Sequence, residues 1–243
     1  FLNVAATPYD LHISTATATQ LESGGATVST PNIVSDFDDN ARYPNPGYPN
    51  NLSFPATAPD IGADEFAGIP QDLSGPIITY TPLGNTASTS TRVLNNVTIT
   101  DPSGVSVAPD TKPRVYYKKS TDANTYAGNT DTDDGWKWVE TSSGSSPFSF
   151  TLNYALLNGG GIATGEIVQY FVIAQDLINN VSINSGIPAQ PLTSVDLTAD
   201  EFPLTGTINQ YSIVTSITGT ILVGTGETYT SLTADDPTGL FKA

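Results

Sequence analysis

The sequence predicts an all-β protein, with an Ig-like or fibronectin-type β-sandwich at its centre. Short runs rich in Val, Ile, Thr, Tyr and Phe alternate with clusters of Gly, Pro, Asn, Asp and Ser, as strands alternate with turns. No stretch of about eleven residues or more repeats its apolar residues with a helical period, so few helices are expected. Seven strand-like runs fall within about 140 residues, a density typical of a two-sheet sandwich.

Residues 1–73 precede the predicted sandwich and are rich in turns. Their apolar stretches, at 11–13 and 27–28, are brief. The segment 43–51 contains Pro44, Pro46 and Pro49. Because proline cannot donate a backbone hydrogen bond to a neighbouring strand, this segment is predicted to be a surface loop.

From residue 75 onward the predicted strands are longer. They cover residues 77–81, 92–100, 113–119, 135–139, 148–154, 167–174 and 210–215. Alternation of apolar and polar residues is clearest in one strand and predicts that four bulky side chains share a face: Phe148, Phe150, Leu152 and Tyr154. Inward or half-buried positions are also expected at Val115, Tyr117, Trp136 and Trp138. The connection 177–206 is long for a loop, which predicts an extra edge strand near 195–197.

The charge balance excludes several classes of partner. The chain has 24 acidic and 8 basic residues, a formal net charge of -16. It therefore lacks the Lys and Arg residues that neutralise the phosphates of nucleic acids or the head groups of anionic lipids. No apolar run approaches the ~18 residues of a membrane-spanning helix, so no membrane insertion is expected. The absence of Cys excludes disulfides and thiolate chemistry within this sequence.

Two acidic segments in the first third of the chain carry a motif. Residues 36–42 read DFDDNAR, and residues 59–66 read PDIGADEF. Together they resemble the closing signature of right-handed parallel β-helix domains in large secreted surface proteins of Bacteroidota-type bacteria. That signature is Asp-x-Asp-Gly-x-x-Arg followed by Asp-Ile-Gly-Ala-x-Glu, and Asp39 stands where it has Gly. The resemblance implies that residues 1–73 are the end of a β-helix-like module.

Later segments extend the resemblance along the chain. TDPSGV at 100–105, RVYYK at 114–118 and VQYFVIAQD at 168–176 are similar to the Ig-like modules that follow such helices. Residues 219–241 are similar to the first coil of another β-helix. The implied domains are therefore residues 1–73, an Ig-like sandwich at 74–216, and the start of a second β-helix-like module at 217–243. Because the sequence also lacks an initial Met, we expect an interior or processed piece of a longer protein.

The resemblance implies an extracellular protein of the bacterial cell surface, of the type 9 secretion cargo to which gliding-motility adhesins belong. We therefore expect a non-catalytic repeat segment of a fibre or adhesin. Its expected partners are neighbouring modules of the same chain, surface glycans, or other copies in a fibre. The alternative is an accessory region or glycan-binding module of a carbohydrate-active surface enzyme, a polysaccharide lyase or hydrolase. In that alternative, Trp136 and Trp138 would stack on a sugar rather than pack in the core.

The first candidate metal site is the acidic loop 129–135, which reads NTDTDDG. Ca²⁺ takes several oxygen ligands from a short flexible loop, and Asn129, Asp131 and Asp133 have the required spacing. Asp134, however, occupies the position where Gly would make the sharp turn, and a strand rather than a helix follows it. The segment is interpreted either as a Ca²⁺ site or as a solvated turn between two strands.

A second candidate metal site is less local. Asp101 and Asp176 end two predicted strands whose following loops lie at the same pole of an Ig-like sandwich. Either each carboxylate caps its own turn, or the two share a cation with Asn179 or Asn180.

A third acidic group, in residues 1–73, is interpreted as a structural lock. It consists of Asp36, Asp38, Asp60 and Glu65 around Arg42. Arg42 is expected to pair with Asp60 or Glu65, because a guanidinium can form two parallel hydrogen bonds with a carboxylate. His12 is the only His, so neither a hydrolytic triad nor a His-rich metal centre is expected, and no catalytic residue is assigned.

Overall fold

The computed structural model describes residues 1–50, 55–216 and 223–226, and the all-β class is confirmed. Its strands are β1 (Ala18–Thr19), β2 (Ile69–Pro70), β3 (Ile77–Thr79), β4 (Arg92–Thr100), β5 (Arg114–Lys119), β6 (Lys137–Glu140), β7 (Phe148–Leu152), β8 (Ile167–Gln175), β9 (Val181–Ile183) and β10 (Asn209–Ser212). Two 3₁₀ turns, Tyr154–Leu156 and Ala199–Glu201, are the helical elements of the described residues. Over this part of the chain, no helix has the length and apolar character needed to cross a bilayer.

The chain divides into two units. Unit 1 comprises Phe1–Pro76 together with the loops Thr100–Val105 and Gln175–Val181, and unit 2 comprises the remaining segments from Ile77 onward. The predicted module at 217–243 lies outside the described residues except for 223–226.

Unit 2 contains a five-stranded antiparallel sheet in which β10, β8, β5 and β6 follow one another and β9 also pairs with β8. Strand β5 lies between β6 and β8, with Tyr116 opposite both Trp138 and Phe171. Strand β5 is also buried on both faces, so Tyr116 is as buried as the predicted inward residues Val115 and Tyr117.

The second sheet of unit 2 has three strands in the order β3, β4, β7. Its strand β7 packs against β5 and β6 of the larger sheet. The four residues predicted to share a face, Phe148, Phe150, Leu152 and Tyr154, are all buried, although the strand ends at Leu152 and Tyr154 begins a 3₁₀ turn. The β4–β7 register shifts between Leu94 and Val97. Asn96, at the shift, has a φ of 57°, a left-handed conformation that Asn tolerates better than most residues.

The long connection at 177–206 differs from the prediction. Its strand is β9, and residues 195–197 form no strand. Val195 and Leu197 are nevertheless buried. Their backbone groups are satisfied by the Tyr116 hydroxyl, which donates to the Val195 carbonyl at 3.0 Å and accepts from the Leu197 N–H at 2.9 Å. Apolar residues thus signalled burial correctly, but a side chain rather than a neighbouring strand satisfies their backbone.

Unit 1 contains little regular structure and an unusual interior. Its strands β1 and β2 pair in parallel, with Ala18 opposite Ile69. Phe66 is the only buried large hydrophobic side chain among the described residues of 1–76. Five carboxylates are buried there instead: Glu22, Asp36, Asp60, Asp64 and Glu65. An interior of this composition depends on hydrogen bonds rather than on apolar packing.

Candidate functional site

The buried carboxylates of unit 1 bind backbone amides from segments far apart in the sequence. Glu22 accepts the N–H of Gly68 at 2.7 Å, and Asp64 accepts that of Ile13 at 3.0 Å. Asp36 accepts the N–H groups of Asp38, Asn40 and Glu65. Asp60 accepts those of Ser23 and Phe66. Glu65 accepts those of Tyr43 and Asp60. Each side chain thereby satisfies backbone donors that this strand-poor unit cannot pair in a sheet.

Arg42 lies at the centre of this network. Its Nε is 3.2 Å from Glu65 Oε2, and both side chains are largely buried. Its terminal nitrogens donate to the backbone carbonyls of Gly62 and Asp60. Of the two carboxylates predicted as partners of Arg42, the ion pair therefore uses Glu65, whereas Asp60 contributes its carbonyl oxygen. The Asp60 carboxylate is occupied by backbone amides.

The environments of Asp60 and Asp36 shift their pKa values in opposite directions. Burial raises the pKa of Asp60 to about 6, and the neighbouring charges of Glu22 and Glu65 add to this effect. Burial opposes ionisation of Asp36 too, but hydrogen bonds from the Glu65, Asn40 and Asp38 amides outweigh it and lower the pKa of Asp36. The network thus contains one carboxylate held ionised and one that protonates in mildly acidic solution.

Asp39 has a backbone conformation that favours glycine. Its φ is 67°, in the left-handed region. Asp is among the few other residues that enter this region with modest strain. The turn is closed by the Asp36 carboxylate, which accepts the Asn40 N–H at 2.8 Å. The single departure from the Gly-containing motif therefore leaves the turn intact.

Asp38 does not join the group around Arg42, which corrects its assignment to the lock. Its Oδ2 lies 2.7 Å from His12 Nε2, while His12 Nδ1 lies 2.6 Å from Asp10 Oδ1. The hydrogen bonds to Asp10 and Asp38 raise the pKa of His12 to about 9. The imidazolium thus connects the start of unit 1 to the turn at 36–42.

Because the chain has a single His, proton NMR reports its titration without ambiguity. We expect a midpoint near pH 9 and a lower midpoint in Asp38→Asn, since one charged acceptor is removed. A raised pKa means that the charged interaction is complete below the unfolded value of about 6.5 and is lost as the pH rises through about 9. A midpoint near 6.5 in the wild-type chain would show that the two contacts do not form in solution.

The carboxylates of the loop 129–135 are not among the acidic groups that the described residues bring together, and an ammonium group lies against its backbone. Lys137 is fully buried, and its Nζ donates to the carbonyl oxygens of Asp133 at 2.6 Å and Gly128 at 3.3 Å. The Asn129 Oδ1 accepts the Trp138 N–H at 2.9 Å, so this amide is also engaged.

The three acidic side chains of the loop have separate roles. Asp133 accepts from Thr130, Asp134 accepts the Ala123 N–H, and Asp131 is exposed. The loop is therefore a turn with three carboxylates, whose backbone is bound by the single Lys137 ammonium.

The carboxylates of Asp101 and Asp176 do come together, and Asp72 joins them. One ligand oxygen from each of the three lies within 4.8 Å of the others, and all three residues belong to unit 1. Asp101 accepts the N–H and hydroxyl of Ser103, and Asp176 accepts the N–H groups of Ile178 and Asn180. Both predicted turn caps are therefore present, and the carboxylates also cluster.

The two tryptophans have different environments, and only Trp138 keeps part of its side chain exposed. Trp136 is fully buried against Phe171 and Phe202, which excludes it from a glycan-binding strip. Trp138 is half-buried, with the Arg114 guanidinium 3.8 Å from its ring centroid. The predicted alternating pair therefore packs within unit 2 instead of forming a sugar platform.

Several residues of these sites were not predicted from the sequence. Glu22, Asp72 and Lys137 belong to no motif, and their partners lie in other segments or on the backbone. Asp64 lies inside the PDIGADEF segment, but at the position that the motif leaves open, so the motif did not single it out.

Comparisons with known proteins give no assignment. No family model matches the chain, and no match was found among curated proteins or among solved structures.

Proposed function

We propose that this chain is a non-catalytic structural segment of a large extracellular protein of the bacterial cell surface. In this proposal unit 1 ends a β-helix-like module, unit 2 is an Ig-like module, and the whole protein is type 9 secretion cargo of the kind that includes gliding adhesins. The proposal combines the motif at 36–42 and 59–66 with the distribution of apolar side chains in unit 1. The net charge of -16 favours a solvated segment whose copies repel one another.

The observation that carries the proposal is an apolar face on unit 1, formed by Phe1, Leu11, Ile13, Leu21, Phe37 and Ile61. These side chains line an open cavity of about 500 Å³. Phe1 is 70% exposed, Leu11 59% and Phe37 57%. Contiguous exposed apolar patches on a soluble protein mark interaction sites, such as a surface that packs against another protein module.

The interior of unit 1 indicates what kind of protein surface would cover this apolar face. Among its described residues, unit 1 has one buried large hydrophobic side chain, Phe66, and ten exposed ones between residues 1 and 61, so its apolar surface lies on the outside. The terminal coil of a β-helix has this arrangement, since its apolar side chains pack on the adjacent coil. The parallel pairing of β1 with β2 supports a coiled chain path of this type.

Unit 2 supports the second half of the proposal. Its strands form two antiparallel sheets that pack through β7, and its core is aliphatic and aromatic. This organisation is compatible with an Ig-like module that lacks a disulfide.

Sedimentation velocity of the isolated chain tests the apolar face. We expect concentration-dependent self-association at about 0.5 M salt, where repulsion between the acidic chains is screened. Phe37→Ser combined with Leu11→Ser should abolish this association, because it removes two of the most exposed apolar side chains of the face. Ile77→Ser is the matched control, since Ile77 is 67% exposed but lies in β3 of unit 2. A wild-type chain that stays monomeric and binds no hydrophobic dye would contradict the proposal.

A further inference from the structure

We propose that the carboxylates of Asp72, Asp101 and Asp176 form a Ca²⁺ site in unit 1. Their ligand oxygens lie within 4.8 Å of one another, close enough for a single cation to contact all three. The three residues are brought together from the segment after β2, the loop after β4 and the loop after β8. This site goes beyond the proposed structural function and is independent of it.

The hydrogen bonds of this cluster leave an oxygen unpaired. Asp72 uses Oδ1 to accept the Ser74 N–H at 2.9 Å, while its Oδ2 is fully buried and has no hydrogen-bond partner in the described structure. A buried carboxylate oxygen without a partner is costly unless a cation or a donor binds it.

A second buried oxygen without a partner lies at the end of β8, one residue before Asp176. It is Oε1 of Gln175, whose side chain is 4% exposed and directly precedes Asp176 in the chain. Two of the four such atoms in the described structure therefore belong to Asp72 and to the residue that precedes Asp176.

No ion pair of the described residues balances the charge of this cluster. The salt bridges of Arg42, Arg114, Lys119 and His12 all involve other carboxylates. Asp176 is 1% exposed, so its charge is poorly screened by solvent. Three converging carboxylates in this situation repel one another, and a divalent cation would convert that repulsion into attraction.

The surroundings of the cluster favour Ca²⁺ over other cations. All ligands are oxygens, which excludes a preference for soft metals. An open cavity of about 530 Å³, lined in part by Asp72, Ser103 and Ile178, gives an entry path and room for coordinating water. Ca²⁺ accepts six to eight oxygens in flexible geometry, so carboxylates from three separate segments suit it better than Mg²⁺, which requires a near-ideal octahedron and gives up its water reluctantly.

Cation binding would join segments that are distant in sequence. The Asn180 side chain already donates to the Asp72 carbonyl at 3.1 Å and to Asp176 Oδ2 at 2.8 Å. A cation held by all three carboxylates would fix the same loops more firmly. Bound Ca²⁺ should therefore stabilise unit 1 without adding any catalytic group.

Isothermal titration of Ca²⁺ into the chelator-treated full chain tests the site. We expect one site with a dissociation constant on the order of 0.1 to 1 mM, the range of extracellular modules, and a rise in melting temperature on binding. Asp72→Asn should weaken binding about tenfold or more, since it removes one ligand charge. This variant keeps the Oδ1 acceptor for Ser74, and it should fold at least as well as the wild type without Ca²⁺ because it relieves repulsion.

Asp110→Asn is the matched control, because it removes the same charge at an exposed position of unit 2. It should leave Ca²⁺ binding unchanged. The proposal is overturned if the wild-type chain gives no heat up to about 10 mM Ca²⁺, well above the expected range. Equal Ca²⁺ affinity in Asp72→Asn and the wild type also overturns it, and equal binding of Mg²⁺ overturns the assignment to calcium.

Discussion

Replacing Trp136 with alanine is expected to lower the free energy of unfolding of unit 2 by about 3–5 kcal/mol. The indole is fully buried, with its centroid 5.1 Å from that of Phe171 and 6.0 Å from that of Phe202. Its Nε1 donates to Asn124 Oδ1 at 2.9 Å, so the variant also loses a buried hydrogen bond. Urea unfolding followed by circular dichroism measures the effect without relying on tryptophan fluorescence.

Trp138→Ala is the matched control, because it removes the same side chain two residues along at a half-buried position. The loss there should be smaller and should consist mainly of packing and the contact with Arg114, about 1–2 kcal/mol. Equal losses in the two variants would show that Trp136 is not the core residue that the structure places between two aromatic rings.

Replacing Glu65 with alanine is expected to destabilise unit 1 by about 3–5 kcal/mol, the usual cost of removing one partner from a buried ion pair. The change leaves the Arg42 guanidinium, only 11% exposed, without its carboxylate. It also removes the acceptor for the N–H groups of Tyr43 and Asp60. Because both tryptophans lie in unit 2, amide hydrogen exchange measured by mass spectrometry is the suitable probe. Faster exchange is expected in the peptides that cover 36–45 and 59–68.

Asp131→Ala provides the comparison for Glu65→Ala. It removes an exposed carboxylate of unit 2, and its effect on stability should stay within about 0.5 kcal/mol. If Glu65→Ala leaves exchange in unit 1 unchanged, the buried carboxylates are not what holds that unit together.

The strands of unit 2 could be predicted because their signal is local. Alternation in 148–154 places four bulky residues on one face, and each of them is buried. The predicted strand at 92–100 matches β4 in both bounds. The segment at 195–197 has the same apolar signal, yet the Tyr116 hydroxyl satisfies its backbone instead of a strand partner. Local sequence indicates burial there but not the source of the hydrogen bonds.

The carboxylate sites were only partly predictable, for a related reason. Spacing within 129–135 is compatible with Ca²⁺, but it does not show that the Lys137 ammonium reaches back to the Gly128 and Asp133 carbonyls. The convergence of Asp101 and Asp176 followed from the expected sandwich topology. The sequence did not predict that Asp72 joins these two carboxylates. Its position depends on the fold of a segment that has hardly any regular structure.

The proposed function depends on the apolar face of unit 1 packing against another part of a longer protein. Carbene footprinting with mass spectrometry measures this directly at Leu11, Phe37 and Ile61, in the isolated chain and in the longer protein of which the chain is proposed to be a segment. We expect strong labelling of all three in the isolated chain and protection in the longer protein, with Ile77 labelled in both. Equal labelling of the face in both samples would contradict it.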